Sequence, residues 1–385
     1  MARREIGNKP QELDMLLSPS RGLQGDEDEV SLRNLEVQER FRRHIDDKLR
    51  KWAAAHPPAR TVTAEHRRRR DEELGIILLD LRKLREGITS SRRMDTFACE
   101  VYEASALLSL FASNTPQLAS TLPHLVVDLH PALASSSSKQ ASVPSDALAS
   151  SFADLSIGAR PADPAVRAFF LTLHLLHLHL LPAFTAAPIP TTPSAGSSSP
   201  PLSTFLPTLL SLLEQSKLPA PSTSRKHPDP HIAFLLRLYT ALLRSCYISL
   251  ARLLSSLPPP PSSVIAHLKA LHLPTFASTS SAPTFHPLAA LLRLSIPSLR
   301  SNRIWPILER AYRFPPDKTA WLGKPLLFEF EAELDGVGAE EGGGKGGTGE
   351  SGEDGVDEGE GEGVREEAER RAEEWVAARK GMKAA

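Results

Sequence analysis

Apolar residues recur along most of this chain at intervals of three and four and almost nowhere alternate, a pattern that predicts helices and no sheet. The stretch from Leu84 to Leu110 organises the rest. In it, and one residue beyond, Phe97, Val101, Ala104, Leu108 and Phe111 share a helical face and predict a core helix. Just ahead, Ile88-Thr89-Ser90-Ser91 interrupts the periodicity and offers hydroxyls for the first free amides of that helix. One helix is therefore expected to end near Arg85 and the next to begin near Ser91.

Before this stretch, Leu35, Phe41, Ile45, Leu49 and Trp52 predict an amphipathic helix over Leu32 to Ala55, stopped by His56-Pro57-Pro58. Leu74, Ile77, Leu78, Leu81 and Leu84 predict a second over Thr63 to Arg85. After it, Leu118, Leu122, Leu125, Val126 and Leu129 mark a helix over Gln117 to Leu129. Ala165 to Leu181 is apolar on nearly every side and reads as a buried central helix. Leu202 to Leu218 predicts another. Ile232 to Leu254 predicts a long helix bent at Ser245-Cys246, followed by helices over Val264 to Leu273, Leu288 to Leu299 and Arg303 to Arg313. A compact segment then runs from Thr319 to Val337, and a charged helix with a seam at Ala368, Ala372 and Trp375 closes the chain.

Composition shortens the foldable part of the 385 residues. Many of the 33 prolines and 22 glycines sit in Ser/Pro-rich or Gly/Glu-rich stretches that offer no core. The expected organisation is a disordered tail over 1–30 and a helical body over 31–284. Insertions at 131–161, 183–201 and 219–230 interrupt that body. A small module over 285–337, an acidic linker over 338–363 and a terminal helix over 364–385 follow. The net charge of −1 conceals segregation: Glu39 to Arg93 holds sixteen Lys/Arg against nine Asp/Glu, while Glu331 to Gly363 holds twelve acids and only Lys345. Cys99 and Cys246 both fall in apolar helical patterns and read as buried thiols of a reducing compartment. No signal-like start or membrane-length apolar run is expected, which points to a nuclear or cytoplasmic protein.

Two groups of cations are candidates for nucleic-acid contact. Arg67, Arg68, Arg69 and Arg70 with Arg92 and Arg93 form one, although Asp71, Glu72 and Glu73 follow directly. Arg300, Arg303, Arg310, Arg313, Lys318 and Lys324 form the other, with Trp321 as its candidate for an exposed stacking aromatic, although a core role is expected for that residue. His174, His177 and His179 raise a metal hypothesis, but no carboxylate or cysteine accompanies them and His179 leaves the shared face, so a core role is expected. The run GGGKGGTGESG lacks the spacing of a phosphate loop. No nucleophile or metalloprotease motif occurs, and the reading is of a non-enzyme without cofactor.

Leu84-Arg85-Glu86-Gly87-Ile88-Thr89 resembles the "(I/L)RxDLT" stretch of the Sac-three/GANP family, and FACEVYEASALLSL resembles its "F…VYE.HARIAL" helix. Ser245-Cys246-Tyr247 stands where the family has "G(N/D)Y" between helices, and ILERAYR and LLFEFEAEL resemble its closing segments. The resemblance covers residues 70 to 336, interrupted by insertions. It implies a PCI-like fold: an all-α, TPR-like array of antiparallel helix pairs, then a winged-helix module. Beyond Asp335 the chain enters GVGAEEGGGKGG, so the two wing strands have no sequence counterpart. The resemblance further implies a nuclear scaffold of mRNA processing and export. Its partners would be a second PCI-domain subunit and a small acidic Sem/DSS-type protein, with RNA as a further ligand. Two other readings compete with it: a proteasome-lid-like PCI subunit, and a helical adaptor at a spindle pole or centrosome.

Overall fold

The computed structural model describes residues 31–57, 64–140, 163–185, 204–215, 218, 229–273, 285–311, 322–335 and 360–384. Among them every regular element is helical and no strand occurs. The expected tail, most of the Ser/Pro-rich insertions, Trp321 and the acidic run before Glu360 lie outside these residues. The chain divides into two interleaved units. One comprises Met1–Leu175, Leu206–Asp229 and Pro260–Thr275, the other Leu176–Phe205, Pro230–Pro259 and Phe276–Ala385.

In the first unit α1 spans Leu35–Ala55 and begins at Asn34, whose side chain accepts from the Glu36 amide. Val37, Phe41, Ile45, Leu49 and Trp52 form its buried face, packed on α2, Ala64–Ser91. The two are also tied by Lys48 to the buried Asp80 at 2.7 Å. Here the expected break is absent: α2 runs through Ile88 to Ser91. The hydroxyls of Thr89, Ser90 and Ser91 donate back to the carbonyls of Arg85, Gly87 and Ile88 instead of capping the next helix. Asp95 is the cap, accepting from the Ala98 amide at 3.0 Å, and α3 spans Thr96–Phe111.

Helix α3 is buried almost all round, from Ala98 to Leu110. Helix α4, Thr115–Pro123, packs on it and continues through a π-helical turn, His124–Leu129, into α5, His130–Gln140. The first part of the expected 131–161 insertion is therefore helix. Pro164–Leu175 (α6), Phe205–Gln215 (α8) and Ser262–Ala270 (α11) complete the unit.

In the second unit a π-helical turn, Leu176–Leu180, leads into α7, Leu181–Thr185. Pro164–Thr185 as a whole is 22 residues long and apolar enough to cross a membrane, but 67% of its apolar window is buried within the protein, as in a core helix. The expected bent helix over Ile232 to Leu254 is two, α9 Pro230–Leu243 and α10 Tyr247–Leu254. Helix α12, Pro287–Leu299, passes through a π turn, Arg300–Ile304, into α13, Trp305–Ala311. A turn then precedes α14, Phe328–Asp335, on which α15, Glu360–Ala384, packs.

Five non-glycine residues adopt positive φ among the described residues: Arg92, Ser113, Ser245, His272 and Leu327. All five stand just past a helical turn, and the residue after each donates its amide back across that turn, as Arg93 does to Ile88 and Cys246 to Ala241. Glycine usually takes this place. Its absence leaves these helix ends unmarked in the sequence.

Gly87 is a packing residue. A Cβ there would lie 2.6 Å from the Leu32 carbonyl oxygen and 2.9 Å from its Cβ, whereas one at Gly75 would meet nothing within 4 Å. Gly87→Ala should therefore lower stability by about 1–3 kcal/mol through overpacking, and Gly75→Ala should raise it by about 0.5–1 kcal/mol, both read by denaturant unfolding. Cys246, the residue before α10, supplies no side-chain cap to it. Cys246→Asn should add about 1 kcal/mol in the same measurement.

Candidate functional site

The residues of the two central stretches meet in one polar node. On α2, Arg85 is buried at 5% exposure because it lies on the apolar side of the helix with Leu78, Leu81 and Ile88. Its guanidinium reaches Gln117 and Ser120 of α4 and lies over the Tyr102 ring of α3, 5.5 Å from the centroid. The Tyr102 hydroxyl is 2.9 Å from the Thr89 hydroxyl, which donates to the Arg85 carbonyl. Three helices are thus fastened by neutral groups around one cation. Burial pushes the Arg85 pKa down and the Tyr102 pKa up, each by disfavouring the charged form. Arg85 Nε is buried with no hydrogen-bond partner.

This node floors an open groove of about 780 Å³ between the C-terminal half of α2 and the start of α4, with Arg82, Glu86, Ser90 and Asn114 on its rim. Arg82 is exposed and paired with Glu86 at 3.0 Å. The sequence pointed to Arg85 only through the resemblance; Gln117 and Ser120 carried no signal, because their role depends on how α4 packs.

A second cluster lies deeper in the same unit. Glu103 of α3 receives His130 of α5 at 3.2 Å on one carboxylate oxygen and His267 of α11 at 3.3 Å on the other. These partners hold its carboxyl down to about 2 against the desolvation of its buried site. A cavity of about 60 Å³ adjoins it, lined by Cys99, His130, Asp163 and Ser263 among others. Cys99 stays a thiol, since burial drives its pKa far up. An acid on the inner face of an apolar helix was the available sign of this cluster.

The cations singled out from sequence are dispersed by the fold. Arg68 and Arg69 pair with Glu72 and Glu73 one turn on, and Arg70 pairs with Asp71 and lies over Phe111. The Arg67 side chain lies outside the described residues. Arg92 is exposed in the turn after α2, whereas Arg93 is held by Glu39, Asp95 and the Phe97 ring. In the second unit Arg300 is buried against Glu331, the Leu326 carbonyl and the Phe328 ring. Arg303 donates to the carbonyls of Phe184 and Ala183 at the end of α7. Arg310 is exposed on α13, Lys324 pairs with Glu329 at 3.6 Å, and Arg313 and Lys318 lie outside the described residues.

His174 is buried on α6, and His177 and His179 follow in the π turn, where burial lowers the His179 pKa. No group of three or more His, Cys, Asp or Glu placed to hold a metal ion occurs among the described residues. Cys246, expected to be buried, is exposed, because it sits in the turn between α9 and α10 and not within a helix.

Compared with known proteins, the chain matches no family model, no curated protein and no solved structure.

Glu103 gives the unit a pH dependence of definite sign. Its folded-state pKa lies below the ordinary 4.5, so its contribution is full above that value and is lost as pH falls towards about 2. Wild-type stability should decline over this window, and Glu103→Gln should be less stable at neutral pH with a shallower decline. Chemical denaturation of both at several pH values checks this.

Proposed function

We propose that this chain is a non-enzymatic helical scaffold of the Sac-three/GANP type, acting in nuclear mRNA processing or export and pairing with a second PCI-domain subunit. The observation that carries the reading is the convergence of Arg85, Thr89 and Tyr102. These polar residues come from two stretches matched to the family separately, and they form one hydrogen-bonded node. Apolar spacing alone would not require polar positions to meet. The Ser245-Cys246-Tyr247 turn adds support. Ser245, at φ 51°, holds the left-handed position that the family pattern gives to glycine, Cys246 stands at the helix-cap position given to Asn or Asp, and Tyr247 is buried as the first residue of α10.

On this reading the helical body over 31–284 is the array of helix pairs, and 285–337 is the winged-helix module. The small acidic protein would be a further partner. RNA would meet the exposed cations, Arg68, Arg69, Arg92 and Arg310, because Arg93, Arg300 and Arg303 are engaged inside the fold.

Affinity purification of the tagged full-length protein with nuclease treatment, followed by mass spectrometry, tests the reading. Another PCI subunit and mRNA-processing factors are expected. Stoichiometric recovery of proteasome-lid subunits, or of spindle-pole components alone, would overturn it.

A further inference from the structure

The outer face of α2 changes character along its length. Ile76 and Leu79 are 57% and 54% exposed, and with Arg82, Glu86 and Ser90 they follow at intervals of three and four on one side of the helix. An apolar ridge therefore runs straight into the polar groove above Arg85. The floor of that groove holds a buried guanidinium whose partners, Gln117, Ser120 and the Tyr102 face, are all uncharged. Two arginines meet one carboxylate in the groove, and that carboxylate, Glu86, is paired with Arg82.

A buried cation with no carboxylate in hydrogen-bond contact is the costly arrangement, and a carboxylate brought to it gains charge-assisted bonds. A phosphate backbone fits less well, because the adjoining ridge is apolar and Glu86 faces the groove. We infer that this face of α2 docks a helical segment of a partner protein, whose apolar side chains cover Ile76 and Leu79 and whose Asp or Glu enters the groove to meet Arg85. The mode is a helix laid along a ridge and anchored at one end by charge. The inference stands on these residues alone and holds whichever assembly the chain belongs to.

The test is a selection of displayed random peptides, several helical turns long, on the full-length protein. Leu79→Ser and Arg82→Glu variants serve for counter-selection. Both positions are exposed, so the fold is expected to persist, and circular dichroism verifies this. Peptides retained by the wild type and lost on both variants should carry leucines at helical spacing followed by an Asp or Glu. Replacing that acid in the tightest peptide by its amide should weaken binding about tenfold in fluorescence anisotropy, and Arg85→Gln in a folded protein should do the same.

The inference is overturned if no variant-sensitive peptides emerge, or if those that do lack an acid. It is overturned equally if acid and amide peptides bind alike, or if oligouridine and not peptide is the ligand that Arg82→Glu weakens. None of these outcomes bears on which complex the tagged protein enters, so the scaffold reading stands or falls separately.

Discussion

The first unit depends on burying α3 almost all round although it is not wholly apolar. Thr96–Phe111 carries Tyr102, Glu103, Ser105 and Ser109 into an interior where an unpaired polar group costs several kcal/mol and an unpaired charge more. The demands of Tyr102, Glu103 and Ser109 are met from different directions, while the Ser105 hydroxyl is buried without a hydrogen-bond partner. Thr89 and Arg85 of α2 serve Tyr102, the histidines of α5 and α11 serve Glu103, and Ser109 donates to the Ser105 carbonyl within the helix. The polar residues of α3 therefore dictate which neighbours it accepts, where its apolar faces would accept many. Of the two histidines, His267 follows Glu103 by more than 160 positions in the chain, so this bond also fixes where a distant segment returns.

The second unit solves a comparable problem at Arg300. The π turn Arg300–Ile304 aims several polar side chains at neighbouring backbone. Asn302 and Arg303 donate to the carbonyls of Ala183, Phe184 and Thr185 in the last turn of α7. Arg379 of α15 donates in turn to the Ser301 carbonyl and lies over Trp375, which meets Trp305 edge-on. A narrow seam of Ala368, Ala372 and Val376 lets α15 approach so closely that a Cβ on Gly323 would lie 3.1–3.3 Å from its backbone. Small residues and a few directed bonds here replace the large apolar stripe that usually docks a helix.

What the sequence disclosed follows from which forces leave a periodic trace. The apolar faces of α1, α2, α3 and α6, and the Ala368 and Ala372 seam, were legible apart from Leu35, which is exposed at the start of α1, because burial imposes spacing. Several helix ends were not, although the stop after Ala55 at His56-Pro57-Pro58 was. At Ser91 the hydroxyls turned inward to the helix's own carbonyls, and at Arg92, Ser113, Ser245, His272 and Leu327 a side-chain residue took the left-handed position. Hydroxyl and glycine signals consequently pointed elsewhere or were missing. Pro123 and Pro297 lie inside helices adjoining π turns, as the apolar spacing across each had indicated, whereas the start of the 131–161 insertion proved to be helix. The partners of the clustered cations were hidden for a related reason: a run of arginines shows that cations are near one another in sequence, while the partners of Arg93, Arg300 and Arg303 at Glu39, Glu331 and the α7 carbonyls are set by tertiary structure.

The contrast between the two buried guanidiniums separates a closed site from an open one. Arg300 has a carboxylate, a carbonyl and an aromatic face, and nothing about it calls for a further ligand. Arg85 has an aromatic face and two neutral oxygens, and it lies beneath a groove instead of within a core. Desolvation lowers the pKa of both; at Arg300 the charge of Glu331 opposes that shift as its foremost counterweight, while at Arg85 the opposition comes from Tyr102 and Glu86, neither of which is hydrogen-bonded to the guanidinium. A fold that seals one cation with an internal acid and gives the other only neutral hydrogen-bond partners has kept a binding position for charge, and the exposed leucine and isoleucine beside it specify that the charge arrives on a largely apolar partner.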